Sequence, residues 1–219
     1  ISECLVGSEM CIRDRFTYGT DFVKQMNGVF AFAFYDEKLG VLHLFRDRIG
    51  VKPLFYTRQG DTIFFASEIE TLLANSGVKP VLDRKGLNEV FSIGPAKTYG
   101  CGVFKGIDEV LPGHLLSYTG AEMKNSCYWK LESKVHEDNY EQTVEKTAFL
   151  LENAVKNQMI SGVPVCTFLS GGLDSSLVSA ICARELRKEG KRLHTFSFDF
   201  VGNDKNCLLY TSPSPRDTR

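Results

Sequence analysis

The sequence predicts two fold classes in succession, an α+β layered arrangement followed by an α/β arrangement built on a parallel sheet. Residues 29–66 contain several strand patterns in a row, and helix signals come only after them, which is typical of α+β proteins. Residues 163–200 instead follow the order strand, loop, helix and strand, which is that of a parallel βαβ unit. We therefore expect two domains in this chain.

The first predicted strand, residues 29–35, alternates aromatic and small side chains with the period of two that a strand requires. The alanines between the phenylalanines leave room for close approach, so we expect both faces of this strand to be buried. Leu39 and Gly40 then turn the chain. Further strands are predicted at residues 41–47, 54–57 and 62–66.

Three helices are expected from their boundary residues. A short helix begins at Glu68 and is stopped by Gly77, and Asp83 is predicted to cap a second one. A long amphipathic helix is predicted over residues 142–160. The charged stretch 129–138 precedes it, and we place the domain boundary there.

The βαβ unit is bounded by local signals. Residues 163–169 are apolar and rich in β-branched side chains, as in a buried strand of a parallel sheet. Apolar residues then recur at helical spacing up to Gly190, where a left-handed residue ends the helix, and residues 193–200 form the second strand. The loop after the first strand lies at its carboxyl end, where ligands bind in open α/β sheets.

That loop, residues 170–176, has the sequence SGGLDSS. Its glycines let a ligand approach the backbone, and its hydroxyl groups join the N–H groups of the first helical turn in an anion site. Asp174 would be unfavourable beside a phosphate unless a divalent cation lay between them, which is the usual arrangement of Mg²⁺. The structural alternative is that the glycines only make a turn, while Asp174 or Ser175 caps the helix.

Three better-known site motifs are absent from the sequence. There is no G-x-x-x-x-G-K-[ST] phosphate loop and no G-x-G-x-x-G dinucleotide fingerprint. There is also no G-x-S-x-G elbow of the kind that presents a hydrolase serine. The loop is therefore an anion site of a different class.

The loop resembles the S-G-G-x-D-S-S pyrophosphate loop of the ATP pyrophosphatases, enzymes that cleave ATP between the α and β phosphates and adenylate a carboxylate or similar oxygen. The resemblance implies an adenine-nucleotide α-hydrolase-like fold and an Mg²⁺ ion at Asp174. Leu169 and Phe198 flank the loop and would pack near the nucleotide, although core packing explains Leu169 equally well. The residues implied in ATP and pyrophosphate binding are Leu169, Ser170, Gly171, Gly172, Asp174, Ser175, Ser176 and Phe198.

The first half resembles the C-terminal half of a class II glutamine amidotransferase domain, an Ntn-type αββα fold. The resemblance rests on the stretch NGVFAFA at residues 27–33, the R-D-x-x-G-x-x-P-L-F-Y run at 46–56 and the FASE stretch at 65–68. In that family the nucleophile is an amino-terminal cysteine, and the glutamine-binding residues lie in the first part of the domain. None of those positions is present, so no glutaminase catalytic residue is assigned.

The order of the two halves is similar to that of the glutamine-hydrolysing asparagine synthetases. The resemblance implies ATP-dependent amidation of aspartate through β-aspartyl-AMP, with ammonia from glutamine, and it allows a homodimer of the intact protein. Two alternatives stay open. The first is a β-lactam synthetase-like or other ATP-pyrophosphatase-family ligase, and the second is a non-catalytic nucleotide-binding module.

Composition excludes several other classes of protein. The chain has 219 residues, of which 43% are hydrophobic, and a net charge of −1, so it offers no case for binding nucleic acid or a membrane surface. Its seven cysteines show no C-x-x-C spacing, which argues against zinc and against a disulfide scaffold. We therefore expect a cytoplasmic protein. Its small-molecule substrates, aspartate, glutamine and ATP, are what the resemblance to the asparagine synthetases implies.

The two ends look foreign to the protein. Residues 5–15 and 207–217 can be encoded by DNA strings that are reverse complements of each other, apart from a base or two at their edges. We interpret residues 1–15 and 207–219 as translated sequencing-adapter scars, so Cys4 and Cys11 are not taken for the nucleophile. Between the scars we expect a partial amidotransferase domain at 16–130 and the start of a synthetase domain at 138–206. A chain cut at both ends in this way is expected to be inactive.

Several polar residues of the first half invite functional interpretations. Arg46 and Asp47 could bind a carboxylate substrate, but a structural salt bridge at a strand end is the favoured interpretation. His43 lies mid-strand without a metal-spaced partner and is expected to be packed. His114 follows a Pro-Gly pair and is expected in a turn, with no functional role.

Overall fold

The computed structural model describes residues 19–93 and 97–197. The chain divides into two compact units between Ser133 and Lys134. Both predicted adapter scars, and Phe198 with the end of the second predicted βαβ strand, lie outside the described residues. No helix within the described ranges is long and apolar enough to cross a membrane.

The first unit is built on two antiparallel sheets. Its strands are β1 (Ala31–Asp36), β2 (Val41–Arg46), β3 (Phe55–Gln59), β4 (Thr62–Ala66), β5 (Ile107–Glu109), β6 (His114–Tyr118) and β7 (Met123–Cys127). One sheet has the order β1-β2-β6-β7, and the other has the order β4-β3-β5. Two short helices, α1 (Ile69–Leu73) and α2 (Arg84–Asn88), follow β4, and a π-helical segment, Glu89–Ile93, extends α2.

Apolar clusters on three levels stack these elements into layers. Leu44 and Leu116 of the four-stranded sheet pack with Leu54 and Val110 between the two sheets. The outer face of the four-stranded sheet packs on a 3₁₀ segment, Gly19–Gln25. The outer face of the three-stranded sheet packs on α1. The first unit is therefore a sandwich of two sheets between helical segments, as the α+β prediction requires.

Two expectations for the first unit are wrong. Tyr35 of β1 is 58% exposed, so this strand is not buried on both faces. The reason is that β1 is the edge strand of its sheet within the described residues, and only Ala31 of its inner-facing residues packs in the cluster between the sheets. His114 begins β6 instead of lying in a turn; the turn belongs to the preceding Gly113, whose φ is +67°.

The helix predictions are confirmed in kind and corrected at their ends. The Asp83 side chain accepts a hydrogen bond from the Gly86 N–H at 2.9 Å and so caps α2. The long helix α3 (Tyr140–Gln158) begins two residues before the predicted start. The cause is a capping box, in which Asn139 and Gln142 bond each other's backbone N–H groups.

The second unit contains the predicted βαβ arrangement. Strands β8 (Cys166–Phe168) and β9 (His194–Phe196) are parallel, and helix α4 (Leu173–Lys188) connects them and ends before Gly190, whose φ is +72°. The strand prediction is too long, and its buried character is wrong, because Phe168 is 70% exposed. In the described residues this sheet has only two strands, so side chains that point away from α4 meet no second layer.

Candidate functional site

The SGGLDSS loop lies where β8 ends and α4 begins. The Leu169 N–H donates to the Phe196 carbonyl at 2.8 Å, which extends the parallel ladder one residue beyond β8. The loop that follows is therefore at the carboxyl end of both strands. This is the edge at which open α/β sheets bind ligands.

Gly171 gives the loop its shape. Its φ is +83°, in the left-handed region that side chains make unfavourable. The reversal lets the chain pass from strand to helix over very few residues. Glycine meets this conformation without the steric cost that a Cβ would bring.

The amino terminus of α4 has no side-chain cap. Gly172 occupies the N-cap position, and the Ser176 N–H donates to its carbonyl at 3.1 Å as the first intrahelical bond. The N–H groups of the preceding first-turn residues are thus open to a ligand, with the positive end of the helix dipole behind them. The structural alternative, in which Asp174 or Ser175 takes the N-cap position, is wrong.

Two serine hydroxyls hold the loop closed. The Ser170 and Ser175 Oγ atoms share a hydrogen bond of 3.0 Å, and Ser175 Oγ also donates to the Gly172 carbonyl at 3.2 Å. The Ser170 N–H donates to Ser175 Oγ at 3.3 Å. Ser176 is half-buried at the same end of α4. The structure thus brings the predicted serines and glycines together around one helix terminus.

Asp174 is exposed on the first turn of α4, beside Leu173, which is 88% exposed. No group of three or more His, Cys, Asp or Glu side chains that could hold a metal ion occurs among the residues that the structure describes. A cation at Asp174 would therefore need most of its ligands from a bound phosphate and water. Mg²⁺ suits such a donor set, because it usually keeps waters and binds one or two carboxylates together with phosphate oxygens.

The residues that flank the loop are only partly described. Leu169 is half-buried, and its carbonyl accepts a hydrogen bond from Ser197 Oγ at 2.8 Å. Ser197 therefore holds the start of the loop against the end of β9. Phe198, the second residue expected to pack near a nucleotide, lies outside the described ranges.

Arg46 makes a structural ion pair, but its partner is not Asp47. Arg46 Nη2 lies 2.9 Å from Glu109 Oε1, and both side chains are almost fully buried. Arg46 also donates to the carbonyls of Lys52, Val110 and Gly50. Because its hydrogen-bonding capacity is used internally, the interpretation as a carboxylate-binding residue is not supported.

Asp47 organises the turn that follows β2. Its carboxylate accepts hydrogen bonds from four backbone N–H groups, at distances of 2.9 to 3.3 Å; the donors are Phe30, Ile49, Val51 and Lys52. The residue is 1% exposed. A buried carboxylate is tolerated when several donors replace its water, so Asp47 has a structural role.

The Tyr128 side chain adds a hydrogen bond to the backbone of Arg46, beside the Asp47 carboxylate. Its hydroxyl donates to the Arg46 carbonyl at 2.5 Å. Burial, with the nearby Asp47 carboxylate, raises the pKa of Tyr128 to about 12. Its phenol is therefore a neutral hydrogen-bond donor at ordinary pH.

Two features of the loop region escaped the sequence interpretation. Ser179 of α4 is buried and shares a hydrogen bond of 2.8 Å with Thr167 of β8, and Ser197 bonds Leu169. The spacing of four residues between Ser175 and Ser179 places both on one helix face and is the signal that could have revealed the first. The bond from Ser197 depends on how β9 pairs with β8, and no local pattern announces it.

In comparisons with known proteins, each of the two units matches a different family model. Residues 7–129 match the family model described as a glutamine amidotransferase domain, and residues 146–211 match the one described as asparagine synthase. The chain is 46% identical, over 90% of its length and 32% of the relative, to asparagine synthetase [glutamine-hydrolyzing] 3 of Bacillus subtilis.

Two further relatives differ in their names. A putative asparagine synthetase [glutamine-hydrolyzing] 2 of Methanocaldococcus jannaschii is 36% identical over 84% of this chain and 36% of its own. The protein named amidase chyE of Penicillium rubens is 34% identical over 87% of this chain and 27% of its own. The chain thus spans about a third of the length of the curated relatives that it matches.

Proposed function

The chain belongs to the glutamine amidotransferase domain family and continues into an asparagine synthase region, and from this we propose that the whole protein is an ATP-dependent ligase that amidates aspartate to asparagine with ammonia from glutamine. The observation that carries the proposal is the SGGLDSS loop. In the part of the chain that matches asparagine synthase, it places an uncapped helix terminus at the carboxyl end of two parallel strands.

The proposed chemistry begins with activation of a carboxylate. The side-chain carboxylate of aspartate attacks the α-phosphorus of ATP, and pyrophosphate leaves as β-aspartyl-AMP forms. Ammonia from glutamine then attacks the acyl carbon and displaces AMP. Adenylation is needed because a carboxylate oxygen is a poor leaving group until it carries a phosphoryl group.

The loop would act on the departing pyrophosphate. The N–H groups of the first turn of α4 and the hydroxyl of Ser176 are donors for the charge that builds up on it, and the Ser170 hydroxyl would join them once it releases Ser175. Asp174 would hold Mg²⁺, which when bound supplies neutralisation of charge on the phosphates. Leu169 and Phe198 would pack near the nucleotide. None of these protein groups forms a covalent bond with the substrate during the reaction.

The first unit would supply the ammonia. Its two stacked sheets with helical outer layers support the assignment of this unit to the αββα glutaminase domains of the Ntn type. No glutaminase catalytic residue is assigned among the positions of this sequence. A cytoplasmic location and a homodimer complete the proposal.

Asp174→Asn in the product of the complete reading frame that contains this chain tests the proposal. We expect loss of pyrophosphate release dependent on Mg²⁺ and aspartate, with unchanged far-ultraviolet circular dichroism. The matched control is Glu141→Gln, which removes an acidic residue from the first turn of α3 and should change the rate by less than about two-fold. Unchanged release in Asp174→Asn would refute the assignment of the loop.

A second candidate is a ligase of the same family with another acceptor, and the relative named an amidase favours it. Measuring pyrophosphate release with a panel of amino acids and other carboxylic acids separates the two candidates. Pyrophosphate release with aspartate and with no other acid of the panel supports asparagine formation. Pyrophosphate release with a different acid supports the second candidate. Nucleotide binding without release from any acid indicates a non-catalytic module.

A further inference from the structure

Two hydrogen bonds between side-chain hydroxyl groups connect α4 to β8 and to the loop that follows β8, and we call this pair of bonds the hydroxyl seam. Ser175 and Ser179 lie four residues apart and so share one face of the helix. Ser175 Oγ bonds Ser170 Oγ at 3.0 Å, and one turn further along Ser179 Oγ bonds Thr167 Oγ1 at 2.8 Å. Two successive turns of α4 are thus tied to two points on the strand side.

The Thr167–Ser179 bond of the hydroxyl seam differs from the Ser170–Ser175 bond in its surroundings. Ser179 is buried and Thr167 is half-buried, whereas Ser170 is exposed. The other buried side chains of α4, Ile181 and Cys182, are apolar. Apolar burial has no preferred direction along a helix axis, but a hydrogen bond between two short side chains has a narrow range of distance and angle. The Thr167–Ser179 bond therefore fixes how far α4 lies along β8.

The axial position of α4 determines where the open N–H groups of its first turn lie. Only the short segment 169–172 separates the end of β8 from the start of the helix, so a shift of the helix moves these donors relative to the loop. A donor must lie within about 2.7 to 3.2 Å of an oxygen to bond it well. A displacement of the order of 1 Å would remove the donors from a bound anion.

We propose that Thr167 and Ser179 are positioning residues, whose mutual hydrogen bond holds the first turn of α4 at the spacing that a bound pyrophosphate group requires. The proposal rests on the proposed function of the loop. In this assignment neither side chain touches the nucleotide. Both act through the helix that carries the donors.

Four variants of the protein that the complete reading frame encodes test the hydrogen-bonded pair Thr167 and Ser179. Thr167→Val and Ser179→Ala each remove one hydroxyl, and the double variant removes both. We expect each single variant to lower kcat for Mg·ATP-dependent pyrophosphate release about ten-fold, with the KM for aspartate unchanged. The double variant should lose no more than either single one, because both changes break the same bond. Thr167→Ser keeps a hydroxyl and should retain a rate within about two-fold of the original.

The control is Thr195→Val on β9. Thr195 lies opposite Thr167 in the parallel register and is exposed, so its variant should keep the original rate. Rates are measured at least 15 °C below each variant's unfolding midpoint, which separates positioning from loss of folded protein. If Ser179→Ala fails to fold, the comparison of Thr167→Ser with Thr167→Val decides alone.

The outcomes separate the two proposals. No pyrophosphate release from the unmodified protein with any acceptor would overturn the proposed function and the positioning role with it. Normal release from the unmodified protein, combined with unchanged kcat in Thr167→Val, would overturn the positioning role alone. A lowered unfolding midpoint with unchanged kcat would also overturn it, because the bond would then be only structural. Loss of kcat that Thr167→Ser restores supports the proposal.

Discussion

The Asp47 carboxylate offers a sharp test of how the first unit is held together. The variant Asp47→Asn keeps the shape of the side chain but replaces one acceptor oxygen with an NH₂ group. Each carboxylate oxygen accepts two of the four backbone hydrogen bonds, so whichever way the amide lies, two backbone donors lose their acceptor. Three donors lie in the turn after β2, and the fourth, Phe30, immediately precedes β1.

The expected magnitude follows from those two lost bonds. Hydrogen bonds to a charged group contribute about 1.5 to 3 kcal/mol each, and the lower figure suits donors that are only partly buried. Two such bonds give a loss of about 3 kcal/mol in the free energy of unfolding of this unit. A domain is stable by only about 5 to 15 kcal/mol, so the effect is large.

Urea unfolding of the chain, followed by the fluorescence of Trp129, measures this loss. Trp129 is the single tryptophan of the chain. Its backbone N–H donates to the Gly113 carbonyl, and the Gly113 N–H donates to the backbone carbonyl of Asp47. The probe therefore reports on the network itself. Asp61→Asn is the control: the Asp61 side chain is 93% exposed, and its ion pair with Arg58 spans 3.7 Å, so the change should be less than about 0.5 kcal/mol. A loss of less than about 1 kcal/mol in Asp47→Asn, with an unchanged denaturant slope, would refute the reasoning.

Two further predictions concern the loop and Tyr128. Gly171→Ala forces a side chain into the left-handed region at a cost of roughly 1–2 kcal/mol, so pyrophosphate release should fall about five-fold or more, whereas Gly162→Ala, where an added Cβ meets no atom within 4 Å, should leave the rate unchanged. Equal rates in the two variants would contradict the need for glycine at residue 171. The pKa of Tyr128 is raised to about 12 in the folded protein, so its contribution to stability is complete below about pH 10, the pKa of a free tyrosine, and is lost as pH rises toward 12. Urea midpoints measured from pH 8 to 11 should fall less steeply in Tyr128→Phe than in the original chain; parallel curves would contradict the assignment.

Several elements were predictable because their signals are local. Asp83 caps α2 through a side chain three residues from its donor, and Gly190 follows the end of α4 in a left-handed conformation. The loop motif likewise identified the position of the candidate site, since strand, glycine pair and helix are adjacent in sequence. Apolar periodicity predicts the start of α3 two residues too late, because it does not show the capping box at Asn139.

Other errors came from features that depend on neighbours. The sequence analysis predicts no strand at β6 (His114–Tyr118). Four of its residues pair with β2 and all five pair with β7, and these two strands lie on either side of it in the sheet. The exposure of Tyr35 follows from the edge position that β1 has among the described strands, which is set by the strand order. Pairing and order of this kind are decided by the whole sandwich and not by any one strand.

Residue types and spacings are enough to identify the glycine-rich loop and the helix behind it, because both depend on steric preferences within a few neighbouring residues. That Gly171, and not Gly172, takes the left-handed conformation is known only from the structure. The partners of the buried polar groups were beyond such inference. Arg46 pairs with Glu109, 63 positions away, and Thr167 bonds Ser179 across the helix-to-strand interface. A buried charge or hydroxyl accepts whichever complementary group the packed chain brings to it, and that choice is made only when distant segments come together in the folded core.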